Sequence, residues 1–366
     1  MMKNYKQKIK EVDLTLLVVL ILLLGFGLIA VTSASYPEGI KSYNNGFYFV
    51  KRQIAFMVLG FVAMLIVYIM PRKMLQKLTT FAFVVSLCLV ALLWSPLAKV
   101  INGQARWIII PIINIRVQPS DFVKVTSVLY LANYLEANRK NIGKGSIFIM
   151  ILVILVVSVV PIMTKDFSTA VVIGASLFFM FLVAGMKPHQ FVSMAGLGAG
   201  LIALMLTQDK YKYRISRILG FAGDTSIDTY QIDQAQYAIA MGRIKGVGLF
   251  QSRQKYGNVP FAYNDFIFPI ICEEFGLIGG IFLIVLFILL IYRGYTIAYR
   301  AKNYFDKFVA VGLTTYLGVQ AIFNLGVSTK LLPVTGITLP FISYGGTALL
   351  VAMVSVGILL RISKDV

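Results

Sequence analysis

The sequence predicts an all-α integral membrane protein with about ten transmembrane helices and a large extracytoplasmic loop between spans 7 and 8. Three observations carry that prediction. Of 366 residues, 58% are hydrophobic and 13% charged, and the mean hydropathy is +0.83, far more apolar than a water-soluble domain of this length requires. The apolar residues gather into runs, most of them near the ~20 residues that cross ~30 Å of hydrocarbon as a helix. Alternate short loops are basic, as the positive-inside rule asks.

The expected spans lie near 14–33, 53–70, 78–98, 122–134, 147–163, 167–186, 190–207, 266–292, 308–326 and 338–360. The fourth is short and opens with Asp121 and Lys124, three apart on a helix, where they can pair with each other or across to a neighbour; both are read as structural. Only Thr164, Lys165 and Asp166 separate the fifth and sixth. The first run is of spanning length, so no cleaved signal peptide is expected. With the amino terminus in the cytoplasm, PRKMLQK (71–77), EANRKNIGKG (136–145), GMKPHQ (185–190), YRGYTIAYRAKNYFDK (292–307) and the tail RISKDV share that side, and all are basic. Both termini are thus expected in the cytoplasm. The opposite side receives the 34–49 loop, a loop around 99–118 and the long segment 208–265. Residues 1–366 read as a single polytopic membrane domain, with 208–265 as its extracytoplasmic working part.

The net charge is +19, and the outer face is basic where the positive-inside rule supplies no reason for it. Lys99, Arg106, Arg116, Lys165, Lys210, Lys212, Arg214, Arg217, Arg243, Lys245, Arg253, Lys255 and Lys330 fall there or at its membrane edge. Snorkelling at headgroups accounts for any one of them. As a set they point to an anionic ligand, and at a membrane surface that is a phosphorylated lipid headgroup. Nucleic acid is not among the expected partners.

Elimination narrows the chemistry. The only histidine, His189, sits in a short loop on the cytoplasmic side, which removes a Ser-His-Asp triad or a histidine-rich metal centre. Cys88 and Cys272 both fall in expected spans, so neither a disulfide nor a CxxC redox site is supported. No phosphate-binding GxxxxGK[ST] sequence occurs. What does break the hydrophobic pattern is FAYNDFIFPIICEEFG (261–276), with Asp265, Glu273 and Glu274 inside a greasy run. Carboxylates beside hydrocarbon are costly unless paired, protonated or employed. NGQARW (102–107), QPSDFVK (118–124), KDFSTA (165–170) and LPVTGITLPFISYGGT (332–347) also combine helix breakers with polar groups. Non-helical backbone at membrane depth is tolerated where it is buried in protein or lines a wet cavity, so a cavity is implied.

QARWI, QPSDFVK, KDFSTA, YQIDQAQYAIAMGRIKGVGLF (230–250), NDFIFPIICEEFGLIG (264–279) and LPVTGITLPFISYGGT, in that order over nearly the whole chain, resemble the SEDS family of cell-wall polymerases, named for shape, elongation, division and sporulation. SASYPEGIKSYNNGFYFVKRQ and TGITLPFISYGGT look more like the FtsW and SpoVE branch than the RodA branch. The resemblance implies a peptidoglycan glycosyltransferase of the bacterial cytoplasmic (inner) membrane. It would polymerise lipid II, the undecaprenyl-diphosphate-linked disaccharide pentapeptide, on the outer face, beside a class B penicillin-binding protein transpeptidase.

The family's essential aspartate lies in a TDFIF-like motif, NDFIF here, so its role carries onto Asp265. Arg52, Arg106, Trp107, Asp166, Arg214, Arg217, Gln231, Lys245, Lys255, Ser343 and Tyr344 are read as substrate-binding; from pattern alone Trp107 could equally be an interfacial aromatic. Glu273 and Glu274, placed about three turns into a helix starting near Asp265, are read as structural, like Gly345 and Gly346. A lipid diphosphate is already stable as an anion and needs chiefly charge neutralisation to leave, which arginine and lysine supply. A carboxylate of ordinary pKa about 3.9 can accept the acceptor hydroxyl's proton as the bond forms. No cofactor is assigned; a divalent Mg or Mn ion is left open. The chain departs from the family where LPEAHT becomes VPFAYN, placing Phe261, Tyr263 and Asn264 where acid, histidine and threonine are common. A lipid II flippase and a non-catalytic scaffold of the division machinery are the alternative readings.

Overall fold

Asp13 starts the first helix by accepting the Leu16 N–H on its carboxylate at 2.9 Å, the N-cap contact that satisfies an otherwise orphaned donor. The helix α1 (Leu14–Tyr43) runs on to Asn44, whose left-handed backbone (φ 52°) ends it. The computed structural model describes residues 12–101, 104–110, 115–206 and 230–366. After α1 come α2 (Tyr48–Ile69), α3 (Arg72–Ala91), α4 (Pro119–Ala137), α5 (Gly145–Met163), α6 (Phe167–Gly185), α7 (Pro188–Leu206), α8 (Tyr230–Gly242), α9 (Ile267–Arg300), α10 (Tyr304–Ser328) and α11 (Gly346–Ser363).

Eight of the described helices are long and apolar enough to cross a membrane, and the chain is a multi-pass membrane protein. Each expected span contains a helix, with shifted ends. The third starts at Arg72 and stops at Ala91, because Ser95 precedes Pro96 and is forced into extended backbone. The last starts at Gly346 rather than 338, since Gly336 (φ 72°) and Phe341 (φ 65°) hold left-handed conformations that a helix excludes. The α4 helix carries Asp121, Lys124 and Glu136 and is not among the eight.

One element was not expected. β1 (Ala98–Ile101), β2 (Gln104–Ile110) and β3 (Ile115–Val117) form a small antiparallel sheet in which Lys99 pairs with Trp107 and Ile109 with Arg116. The β-branched run around Trp107 carried that signal. The sheet feeds into α4, whose first residue is Pro119, already preset for a helical φ.

The core is built around α10. In its membrane window 78% of residues are buried, against 17% in α2, so α10 is the central helix and α2 faces outward. Helices α4, α6 and α9 pack on α10, and α2 packs on α11. At the end of the bundle that holds both described termini, ion pairs tie the helices together. Asp306 meets Arg361 at 3.2 Å and Arg72 at 3.9 Å, and Arg72 meets Glu136 at 2.6 Å. The polar residues at the other ends of α4, α10 and α11 surround a cavity.

Candidate active site

The cavity, about 350 Å³, lies where α2, β2, β3, the start of α4, the 261–266 segment and the irregular 334–348 stretch converge. Of the residues singled out in the sequence, Asp265, Arg52, Arg106, Trp107, Asp166, Gln231 and Tyr344 line it. Asp121, Lys124, Gly345 and Gly346 line it as well. Lys245, Lys255 and Ser343 are not among the lining residues. Arg214 and Arg217 lie outside the described residues.

Asp265 sits two residues before α9. Phe266, without a side-chain cap contact, occupies the N-cap position, so Asp265 does not cap the helix. Its backbone carbonyl is held by the Asn324 amide at 2.9 Å, and the same amide holds the Ile337 carbonyl at 2.6 Å. Gly336 brings its neighbour chain close: a Cβ there would stand 3.4 Å from Asp265 Oδ2 and 3.8 Å from Arg106 Nη1. The carboxylate and the guanidinium thus flank one glycine whose positive φ also requires it.

Asp166 organises the neighbouring wall. It caps α6, accepting from the Thr169 N–H at 3.3 Å and the Thr169 hydroxyl at 2.7 Å, and it takes the Gln118 amide at 2.8 Å. Its other oxygen stands 3.7 Å from Arg106 Nη1, while Arg106 Nε donates to the Lys165 carbonyl at 3.2 Å. An oriented guanidinium is worth more to a phosphate than a mobile one, because less rotamer freedom is lost when it binds. Asp121 and Lys124 pair at 2.8 Å, and Asp121 also accepts the Thr347 hydroxyl at 2.8 Å. Lys124 donates to Gln320 at 3.0 Å, and Gln320 donates to the Thr338 carbonyl at 2.9 Å. Both partners are almost fully buried, so the pair joins α4, α10 and α11 at the cavity floor.

Elsewhere in the lining Arg52 lies over the Tyr48 ring, 4.9 Å from its centroid, and Tyr48 stacks on Tyr43 at 3.6 Å. Phe49, Tyr263 and Tyr344 continue this aromatic wall, with Tyr263 4.6 Å from Phe49. Burial, with Glu38 and Tyr344 adding to it, pushes the Tyr263 phenol above its ordinary range, so it stays neutral. Arg116, one of the outer-face cations, lines the cavity, as do Tyr263, Gln118 and Gln320, to which the sequence assigns no role. Asn264 Oδ1 and Thr335 Oγ1 are buried without a hydrogen-bond partner, and both residues line the cavity.

The two glutamates lie elsewhere. With α9 starting at Ile267, Glu273 and Glu274 fall in its second turn, not three turns in. Glu274 Oε1 accepts from Lys255 at 2.9 Å and from the Ser33 hydroxyl at 2.5 Å. Lys255 is thus sealed in an ion pair away from the cavity. Ser343 is buried, its hydroxyl accepting the Leu339 N–H. Among the described residues no group of three His, Cys, Asp or Glu side chains comes together as a metal site.

Comparisons with known proteins agree with this architecture. The chain is 37% identical over 366 residues to stage V sporulation protein E of Bacillus subtilis, covering 96% of this chain and 97% of that one. It is 34% identical over 369 residues to a probable peptidoglycan glycosyltransferase FtsW of Geobacter metallireducens, covering 98% and 97%. Its fold superposes on a chain of a peptidoglycan synthase complex with a TM-score of 0.80, at 23% identity and covering 97% and 98%. The crystal structure of Thermus thermophilus rod shape determining protein RodA gives 0.72, also at 23% identity, covering 97% of each chain. Residues 14–366 match the model of the FtsW, RodA and SpoVE family, described as cell cycle proteins, and the chain belongs to that family.

Proposed function

We infer that this chain is a peptidoglycan glycosyltransferase, and that the cavity holding Asp265 is where it polymerises lipid II. Probable glycosyltransferases of the FtsW type share more than a third of its residues over nearly full length. The observation that carries the site is the flanking of Gly336 by Asp265 and Arg106. A carboxylate that accepts a proton and a cation that receives a departing anion must lie a few ångströms apart in a sugar transfer from a diphosphate carrier.

In the proposed reaction an acceptor sugar hydroxyl of lipid II attacks the anomeric carbon of the growing glycan. Asp265 takes the hydroxyl proton as the new glycosidic bond forms. The bond to the diphosphate breaks, and the electron pair leaves with undecaprenyl diphosphate, whose charge Arg106 and its neighbours neutralise. Asp166, held by Thr169 and Gln118, aims Arg106. Arg52 and Arg116 supply further cations for the second lipid-linked diphosphate. The Asp121–Lys124 pair holds the floor.

The cavity end is assigned to the outer face of the bacterial cytoplasmic membrane, with both termini inside, because the basic short loops all lie at the termini end. The ion-pair network of Asp306, Arg361 and Arg72 at that end supports a one-sided site over a flippase that opens to both faces. A class B penicillin-binding protein is the proposed partner, in keeping with the peptidoglycan synthase complex that shares the fold. Purified chain supplied with lipid II tests the function: glycan strands that a muramidase digests are expected, and movement of lipid II between leaflets without any polymer would replace the enzyme by a transporter.

A further inference from the structure

Between α8 and the 261–266 segment the chain makes a compact turn over 243–256, and this turn breaks into α9. Gly276 leaves helical geometry (φ 67°, ψ −167°), so the bonds from Leu277 N–H to the Glu273 carbonyl and from Ile278 N–H to the Glu274 carbonyl are not made. The turn supplies replacements. Leu277 and Ile278 donate to the Arg243 and Ile244 carbonyls at 2.9 and 3.3 Å, while Val247 and Gly248 donate to the Glu273 and Glu274 carbonyls at 2.9 and 3.1 Å. A side chain at Gly276 or Gly246 would collide with this backbone exchange.

The rest of the turn is satisfied with equal care. Glu274 accepts the Ser252 N–H at 3.3 Å, and Glu273 accepts the Arg253 N–H at 2.9 Å, the Gln254 N–H at 3.4 Å and the Ser252 hydroxyl at 2.5 Å. Two fully buried carboxylates are therefore committed to the backbone of one irregular turn. A turn in water has no need of this, because water takes its N–H groups; a turn in an apolar medium must satisfy them internally.

The outward side chains agree. Ile244 is 64% exposed, and Val247, Leu249 and Phe250 are exposed beside it. They continue the apolar stripe of α9, where Ile278 is 60% exposed next to Leu277 and Ile281. From Leu277 to Arg300 the helix has 24 residues and spans about 36 Å, enough to cross the hydrocarbon, so its first residues stand at one boundary of the bilayer. Arg243, Lys245 and Arg253, exposed on the same turn, match the phosphate layer there.

We propose that the 243–256 turn is a membrane-inserted foot: Ile244, Val247, Leu249 and Phe250 enter the leaflet at the cavity end, and Arg243, Lys245 and Arg253 bind anionic phospholipid headgroups. Glu273 and Glu274 make the insertion possible by satisfying the turn's backbone. The foot sets the depth of the neighbouring cavity in the bilayer. This assignment rests on the membrane placement of α9 and not on the sugar-transfer chemistry, so it stands or falls separately.

The full chain, with Cys88→Ser and Cys272→Ala, is labelled with bimane at single cysteines placed at 244 or 250 and reconstituted into vesicles. The vesicles are phosphatidylcholine alone or mixed equally with phosphatidylglycerol. Labels at 281 and at 41 serve as lipid and water references. Nitroxide lipid should quench positions 244 and 250 about as strongly as 281 and several-fold more than iodide does, and more so with phosphatidylglycerol. Exchanging Arg243, Lys245 and Arg253 for glutamine should abolish the phosphatidylglycerol effect. Iodide quenching at 244 and 250 equal to that at 41 would show the turn in water, free to dock a protein instead, and would overturn the foot. A phosphatidylglycerol effect that is absent, or survives the glutamine exchange, would overturn the headgroup contact.

Discussion

Asn324 in the buried α10 helix donates its side-chain amide to the backbone carbonyl of Asp265 at 2.9 Å and, through the same nitrogen, to that of Ile337 at 2.6 Å. One residue of the most enclosed helix thus anchors both strands of irregular chain that meet at the reacting end of the cavity. Replacing Asn324 by leucine releases both carbonyls. Lipid II polymerisation is expected to fall by roughly 10²-fold, the scale of an ångström-sized misplacement, with membrane insertion kept. A variant as active as the parent would remove Asn324 from the positioning of Asp265.

Asp265→Asn keeps size and hydrogen-bonding capacity and removes basicity. The expected loss in glycan synthesis is about 10²–10⁴-fold, the usual contribution of a general base, in protein that still elutes as a folded species. Glu273→Gln makes the contrast. Its new amide group would face the Ser252, Arg253 and Gln254 donors, at a cost of about 1–3 kcal/mol in stability. A lowered thermal midpoint should therefore accompany any loss of activity. Near-normal synthesis by well-folded Asp265→Asn protein would end the catalytic assignment.

Arg106→Lys separates charge from geometry. Lysine keeps the charge but cannot reach the Lys165 carbonyl and the Asp166 carboxylate in the same planar fork. About a tenfold or greater fall in lipid II utilisation is expected, larger for Arg106→Ala. Because Asp166 acts through Arg106, adding Asp166→Asn to Arg106→Ala should cost less activity than Asp166→Asn costs alone. Additive losses would mean that the two residues act independently.

Gly336→Ala places a methyl group against Asp265 and Arg106 at a backbone angle of φ 72°. The left-handed conformation alone costs about 1–2 kcal/mol for a residue with a Cβ. Polymerisation should fall while thermal stability drops only slightly, and unchanged kinetics would show that the close approach is not used.

Tyr263 provides a test in pH. Burial holds its phenol above the ordinary value of 10.0. The stabilisation is fully present below that pH and is lost as pH rises through 10 toward the folded value, because the unfolded chain ionises first. Alkaline unfolding of Tyr263→Phe protein should begin at higher pH than in the parent. Its activity profile near neutrality should match the parent's; a shifted profile there would give the hydroxyl a part in proton transfer.

Much of the architecture was legible because hydrocarbon is an unforgiving solvent. Runs of apolar residues have to become helices, so all ten expected spans contain one, and Asp121 with Lys124 at helical spacing do pair. The small sheet at 98–117 was missed because apolar β-branched residues beside a membrane satisfy strand and interface patterns equally. The start of α11 was placed too early because Phe341 and Ile342 look like helix by hydropathy, although the backbone at Phe341 is left-handed.

By itself the sequence determined the solvent, the apolar runs that had to become helices, the family motifs and the presence of Asp265, Glu273 and Glu274 in an apolar stretch. Those follow from composition and short-range spacing. Only the tertiary structure decided how the charged residues were shared out. Lys255 and Asp265 are ten residues apart, yet Lys255 is sealed against Glu274 while Asp265 lines the cavity beside Arg106. Ser33 and Glu274, and likewise Arg106 and Gly336, meet across more than two hundred residues of chain. The energy of a charge depends on what surrounds it within a few ångströms, and no local pattern in the sequence records which distant helix will supply that surrounding.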